Sequence, residues 1–463
     1  MISLSQSALV GQMSAMCMDK PRINGPVHPA GLMVAFWLFI CVVYFWGPIH
    51  LTPEVSFSTY LFLALHIVFY ILGSTVFLQI SFFRKSASKA SYLSYLPLHH
   101  VHNLIFVVLF IGVAGGVISI FCKLSSLEVI NFSSIAQLRT LRAQVLLDGG
   151  GLQSGYMSAI AFLTYPAGFV GIVATIICYE KIPLISRIMS FLFLIIIVFL
   201  ALCAGGRSPI MVLFLFIGTS CYVRKKIGKT YTPKSVPLRL TVVSLMILFV
   251  IYSSFIWVIR SKEAGLSSDA MINHAEHVWG AHPKDGLLAM SEFLNKPGLT
   301  QTVLSSTFYF IQNLSISERL LSSTEDIPAM YGAYQIDLFA AVLRAIPGGG
   351  EFLKQGYGKL LNANVYGFFT GAWTGLYIDL GFFSLLAALI WGYFSGKSWL
   401  NFKRNPTVLS GITYIFWIYS IFISFVSSPF GFSNSLMIFL WFIFFSLACL
   451  LFTRYKAIHK GSA

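Results

Sequence analysis

Apolar residues in this chain come in long, almost unbroken runs separated by short polar stretches, a pattern unlike the helical or alternating spacing of a half-buried surface. A helix crosses the hydrocarbon core of a bilayer with roughly 20 mostly apolar residues, each adding about 1.5 Å. Ten runs meet that description, near 29–49, 58–82, 103–122, 156–178, 187–204, 208–222, 240–259, 372–395, 407–427 and 435–453. Only Gly205, Gly206 and Arg207 separate the fifth from the sixth, which predicts a tight hairpin. Two longer polar segments interrupt the pattern, 123–155 and 260–371, the second 112 residues long. Connections of that length are usually functional or disordered. In the second, Leu304, Phe308, Ile311 and Leu314 share one face of a helix across Thr300–Ser315, which predicts an amphipathic helix on the membrane surface. Another helix is expected over Tyr334–Ile346, stopped by Pro347 and the run Gly348, Gly349, Gly350. The chain thus divides into a bundle with one loop (1–259), a large loop with amphipathic helices (260–371) and a C-terminal group of spans (372–463). The fold class is an all-α, polytopic transmembrane bundle without an internal repeat.

Composition narrows the class. The residues are 57% hydrophobic and 10% charged, where soluble domains carry about 25% charged residues. A soluble enzyme, a disordered chain and a fibrous repeat are excluded. The seven cysteines are scattered through apolar runs with neither disulfide nor zinc spacing. The first 29 residues include Lys20 and Arg22 but no short apolar stretch with a small-residue cleavage site, so the first span is expected to act as the insertion signal. The net charge of +15 lies between apolar runs, not in a polar domain, and therefore reports topology instead of nucleic-acid binding. With both termini placed in the cytoplasm, 19 of the 31 bases and two of the 16 acids face inward, leaving +17 on that side and −2 on the other. This is the asymmetry that the positive-inside rule expects of a multi-pass membrane protein.

Bases on the outer side are then the informative ones: Arg139, Arg142, Arg207, Arg260 and Arg344. A guanidinium grips phosphate oxygens through two parallel hydrogen bonds and stays charged at any relevant pH. Several at the lipid interface would suit a diphosphate, as carried by a polyprenyl-linked glycan. Each also has a plainer reading. Arg260 follows a span and could snorkel, while Arg139 and Arg142 could pair with Glu128 or Asp148. Arg207 sits at a hairpin tip among Gly205, Gly206 and Ser208, where bare backbone N–H groups also suit an anion.

Arg139 and Gly150, with ten residues between them, resemble the arginine-glycine spacing in outer loops of Wzy-type O-antigen polymerases. Gly205-Gly206-Arg207-Ser208 resembles a turn shared by those polymerases and the related O-antigen ligases. Asn364-Val365-Tyr366 followed by Tyr377-Ile378-Asp379-Leu380-Gly381 is similar to a pattern of oligosaccharide repeat-unit polymerases. Arg344 and Gly356 are spaced one residue wider than the first pair, Ser208 leads into Pro209, and Leu380 stands where the pattern has Phe. The resemblance implies a GT-C-like, metal-independent glycosyltransferase without a cofactor. It would move a glycan from one undecaprenyl-diphosphate carrier to a repeat unit on another at the periplasmic face. Its partners would be those lipid-linked glycans, membrane lipid and a chain-length regulator protein, with no nucleic acid. Arg139, Arg142, Arg207, Arg260 and Arg344 would bind diphosphate, and Asn364, Tyr366 and Tyr377 the glycan.

An attacking sugar hydroxyl benefits from a general base. Candidates are Asp337, Glu351, Asp379, Glu276, His274, His277 and His282, with Asp379, Asp337 and His282 placed first. Asp379 lies inside an apolar run, where a carboxylate is either functional or paired with an arginine that holds the bundle together. His274 and His277 stand three apart without a supporting HExxH pattern, so a metal site is not expected. Two other functions compete: a flippase for a lipid-linked glycan, which would need charges along a path through the spans, and the sibling ligase, whose usual His-Asn signature is missing near Asn364.

Overall fold

The computed structural model describes residues 25–77, 98–125, 156–203, 208–230, 268–294, 297–366, 369–404, 406–432 and 434–460. Its helices are α1 (Pro29–Trp46), α2 (Phe57–Leu72, continued by a π-helical turn Gly73–Phe77), α3 (Leu98–Ser125), α4 (Tyr156–Thr164), α5 (Ala167–Cys178), α6 (Leu184–Cys203) and α7 (Ser208–Lys226). After these come α8 (Ser268–His274), α9 (Asp285–Phe293), α10 (Pro297–Ser322), α11 (Asp337–Ala345) and α12 (Gly349–Asn362), then α13 (Gly371–Leu380), α14 (Ser384–Arg404), α15 (Val408–Ile423) and α16 (Ser435–Lys460). The only strands among the described residues, β1 (Ile49–Leu51) and β2 (Ala281–Pro283), pair antiparallel with His50 opposite His282.

Among the described residues, six helical stretches are long and apolar enough to cross a membrane: Pro29–Trp46, Phe57–Val76, Val101–Cys122, Tyr156–Lys181, Leu184–Ala201 and Gly371–Arg404. Val408–Ile423 and Ser435–Leu451 are apolar but shorter. α7 occupies the sixth expected run, but Arg224, Lys225 and Lys226 in its last turn shorten the apolar stretch. The expected span at 240–259, the hairpin tip at 205–207 and most of the loop at 123–155 lie outside the described residues.

The expected span at 372–395 is two helices, not one. Along a straight helix Trp373 and Trp391 would stand about 27 Å apart, yet their rings are 5.1 Å apart. The chain reverses at Gly381, whose φ of 56° and ψ of −134° need glycine. Hydropathy cannot register this turn, because Gly381, Phe382 and Phe383 continue the apolar run. α13 is therefore a half-length helix packed back along α14. Its first residues are tied to the end of α15, Gly371 N–H donating to Val426 O (3.2 Å) and Ala372 N–H to Ser424 O (2.7 Å). Ser424 Oγ also accepts from Trp37 Nε1, halfway along α1 (3.0 Å).

α2 and α14 pack with almost no side chain between them. A methyl group at Gly392 would strike the Tyr70 carbonyl, one at Gly396 would strike Ser74, and one at Gly73 would strike Leu389. Such small-residue contacts let helix backbones approach closely where lipid tails give no hydrophobic drive for association.

The described residues within 268–366 pack onto one end of the bundle. Leu304, Phe308, Ile311 and Leu314 are all buried, but α10 does not lie on a surface: residues 311–318 are buried all round it, polar Gln312, Asn313, Ser315 and Ser317 included. α10 packs against α1, α2 and α13. Its Glu318 carboxylate accepts from Ser56 N–H (2.8 Å), Ser56 Oγ (2.7 Å) and Thr59 Oγ1 (2.7 Å), closing the first turn of α2 from a distant helix. Burial pushes the Glu318 carboxyl up, and the bonds from Ser56 and Thr59 outweigh it, holding the group below the usual carboxylate range. A second hydrophobic core joins Ile316, Leu320, Met330, Ala333, Ala340, Leu353, Tyr357, Leu360 and Val365 to Ile378 of α13, so it crosses the boundary expected at residue 371. Pro347 ends α11 as expected, but Gly348, in the left-handed region at φ 78°, then starts α12 instead of a loop.

At the opposite end, Val27 meets the Tyr222 and Tyr414 hydroxyls and Trp399 donates to Pro26 O. This end carries Arg224, fully buried and paired with Glu180, and Lys229, which donates to Ile177 O. Lys226, Lys397 and Lys403 lie over aromatic rings there.

Two outcomes test this packing. Gly392→Leu is expected to prevent recovery of a monodisperse protein in detergent, whereas Gly218→Leu, where nothing lies within contact distance, is recovered at wild-type yield. Because folding lowers the Glu318 pKa, the clamp contributes fully above the ordinary carboxylate pKa of about 4.3 and is lost as pH falls below it. Hydrogen-exchange protection of the Ser56–Thr59 amides should accordingly drop in acid, and Glu318→Gln should show the reduced protection already at neutral pH.

Candidate functional site

The folded segment and the connection between α1 and α2 line an open cleft of about 750 Å³. Its walls include Thr52 and Pro53, then Glu276, His277, Gly280 and His282, then Arg319 and Ser322 to Glu325, and Asn362 to Asn364. The histidine wall is a π-helical turn, Ala275–Trp279, closed by Gly280 in the left-handed region (φ 62°) and running into β2. Pairing with β1 holds β2 in place, as do Thr52 N–H to Gly280 O (2.7 Å) and Lys284 N–H to Pro48 O (2.9 Å). Trp279 stacks on Phe308 with ring centroids 5.0 Å apart and fixes the turn against α10.

Within the cleft, the His282 ring stacks on His50 at 4.9 Å, and its Nδ1 stands 3.9 Å from Glu276 Oε1. Arg319 spans the floor, Nη2 donating to Val278 O (3.1 Å) and Nη1 to Asn364 O (3.3 Å), so one guanidinium ties the histidine turn to the Asn364 segment. Burial lowers the Arg319 pKa. Among the described residues no three His, Cys, Asp or Glu side chains converge as metal ligands would.

Two residues further on, Tyr366 leaves the cleft and its ring meets Tyr357 at 5.4 Å. Burial raises the pKa of both hydroxyls, and the nearby Arg344 charge opposes that rise. Arg344 is half-buried, and its Nε and Nη2 are buried without a hydrogen-bond partner among the described residues. Buried polar groups are rarely left so, because each unsatisfied donor costs about 1–3 kcal/mol.

The expected site residues therefore separate into groups. Asn364 and His282 line one cleft, and Arg344 and Tyr366 sit together beyond its rim. Asp337 opens α11, where a carboxylate suits the helix N-terminus, and lines a small pocket with Gln335 and Phe430 outside the cleft. Tyr377 packs edge-on against Phe62 and Phe382. Arg139, Arg142, Arg207 and Arg260 lie outside the described residues.

Among the described residues, Asp379 pairs with no arginine. Its buried carboxylate accepts from Tyr334 N–H (2.8 Å) and Gln335 N–H (3.2 Å), while its own carbonyl accepts from Tyr331 N–H (2.8 Å). It anchors the turn at 330–336 to the half-helix. Arg319 and Glu318 were not expected from the sequence. Their signal is an adjacent charged pair at the end of an otherwise apolar helical face, a position that spacing alone assigns to solvent.

Compared with known proteins, the chain matches no family model, no curated protein and no solved structure.

The anchoring role of Asp379 has a direct consequence. Asp379→Ala leaves two buried N–H groups without acceptors, and limited proteolysis should then cut within 323–336 while the helical bundle keeps its thermal transition. Asp379→Asn, which retains one acceptor oxygen, should be cut more slowly than Asp379→Ala.

Proposed function

We propose that the chain is a Wzy-type polymerase, a metal-independent glycosyltransferase that joins repeat units carried on undecaprenyl diphosphate. The cleft would face the periplasm, and the basic end with both termini would face the cytoplasm, as the positive-inside rule expects. The observation that carries this reading is Arg344, a guanidinium with two buried nitrogens unpartnered among the described residues, beside the hydroxyls of Tyr357 and Tyr366 beyond the rim of the cleft. It offers a phosphate the fork that a carboxylate partner would otherwise occupy. Transfer makes the carrier diphosphate the leaving group, and a fixed cation stabilises the charge that develops on it as the glycosidic bond breaks. Asn362, Asn364, Ser322, Ser323 and Thr324 supply the cleft with uncharged donors and acceptors suited to sugar hydroxyls. Arg139, Arg142, Arg207 and Arg260 belong to the same proposal as further diphosphate contacts.

One feature supports a flippase instead. The crossing is broken where α13 begins against the non-helical residues after α15, and transporters build substrate sites at such breaks. The length of the surface polysaccharide separates these functions. A strain lacking the protein should carry single repeats on its surface if the protein is a polymerase. It should carry no repeats if the protein is a flippase, and bare core with polymer left on the carrier if it is a ligase. In the wild-type background, Arg344→Ala at normal membrane level should cut chain elongation by about 100-fold or more. Arg344→Lys, which keeps the charge and loses the fork, should retain part of it. Unchanged chain length in Arg344→Ala would remove the main support for the proposal.

A further inference from the structure

His277 stands on the cleft wall, one residue from the carbonyl that Arg319 holds. Its Nδ1 lies 2.8 Å from the Asn273 carbonyl oxygen. A carbonyl only accepts, so Nδ1 carries the proton, and in the neutral ring the lone pair belongs to Nε2. The ring is exposed, which leaves that nitrogen open to the cleft. The turn that carries it is fixed by Trp279 on Phe308 and by Arg319 on Val278 O. The three candidates that the sequence places first are less free to act. His282 is stacked on His50 and faces Glu276. Asp379 is occupied by backbone N–H groups, and Asp337 lies outside the cleft.

We infer that His277 is the general base of the cleft, taking the proton of the attacking sugar hydroxyl on Nε2, with Arg319 fixed beside it as a cation for the substrate's phosphate. The inference rests on the glycan-transfer reading above. In the step, the hydroxyl oxygen forms a bond to the anomeric carbon of the donor glycan as its proton passes to Nε2. The bond from that carbon to the carrier diphosphate breaks, and its electron pair leaves on the phosphate oxygen. The imidazolium later returns its proton to solvent. Among the described residues, the charged and titratable groups that line the cleft with His277 are Glu276 on its own turn, His282 on β2 with His50 stacked on it, Arg319 on α10 and Glu325 beyond the end of that helix.

The test uses membranes containing the full-length protein, supplied with lipid-linked repeat units extracted from a strain that lacks it. A general base contributes about 10²–10⁴-fold. His277→Ala and His277→Gln should each slow chain growth by at least about 100-fold with little change in the substrate concentration at half-maximal rate. Added imidazole should restore part of the rate to His277→Ala and not to His277→Gln. The wild-type rate should fall as pH is lowered through the histidine range, and the residual rate of His277→Gln should not. The inference is overturned if His277→Ala grows chains at half the wild-type rate or better while Arg344→Ala does not, an outcome that leaves the polymerase reading standing. It is equally overturned if both variants are slow but imidazole has no effect and the acid limb persists. Wild-type membranes that extend no chain would remove the polymerase reading and this inference together.

Discussion

A backbone N–H or C=O left unpaired inside an apolar bundle costs several kcal/mol, and this chain interrupts two of its apolar helical runs at one place. α15 ends at Ile423, and α13 begins at Gly371 beside it. The interruption is tolerated because each loose end supplies what the other lacks: Val426 and Ser424 carbonyls accept from Gly371 and Ala372, and the Ser424 hydroxyl accepts from Trp37. The rest of the site follows from that exchange. A helix that starts within the bundle and is ten residues long brings Ile378 and Asp379 to the end of the bundle, not out into solvent. There Ile378 enters the second core and Asp379 collects the turn at 330–336. Arg344, Tyr357 and Tyr366 are carried on helices and a segment packed around that core.

The two buried carboxylates of this end are spent on backbone, Glu318 on the first turn of α2 and Asp379 on residues 334 and 335. A carboxylate used in this way cannot also neutralise a guanidinium. Arg344 forms no ion pair among the described residues, although Asp337 lies two turns before it on the same helix. At the other end the choice is reversed: Arg224 is paired with Glu180 and donates to the last carbonyls of α5, so both its charge and its donors are used. One arginine completes a helix terminus, and the other keeps donors in reserve.

How much of this was legible in the sequence follows from what hydropathy can and cannot see. Helices stand at Pro29–Trp46, Phe57–Val76, Val101–Cys122 and Leu184–Ala201, where the apolar runs place them, because the cost of placing twenty apolar residues anywhere but a bilayer or a core decides their fate. The reversal at Gly381 was invisible, since a turn made of Gly and Phe has the same hydropathy as a span. α10 was misplaced for the opposite reason. Its apolar face of Leu304, Phe308, Ile311 and Leu314 predicts a helix on the membrane surface, yet Gln312, Asn313 and Ser317 are also buried, against helices whose arrival no local pattern announces, as where Ser317 meets Thr374. In the site, Asn364 and His282 could be picked out by residue type, and the cleft does contain both. Asp379 was equally conspicuous as an acid in an apolar run, but its partners are backbone N–H groups, which every residue carries and no sequence marks.

The electrostatics of the two ends suit an anion that arrives within the membrane. A soluble anionic substrate is drawn in by the long-range field of a basic surface, and that field is screened beyond about 8 Å at physiological salt. Among the described residues, Glu276 and Glu325 share the cleft lining with Arg319, and Asp337 lies near Arg344, so these acids offset the two arginines at a distance. Cancellation at a distance does not weaken a contact at hydrogen-bond range, where a guanidinium whose Nε and Nη2 are unpartnered among the described residues keeps the geometry to meet a phosphate edge to edge. On the proposed reading, a lipid-anchored diphosphate would diffuse in the plane of the cleft and would need a local fork in place of long-range steering.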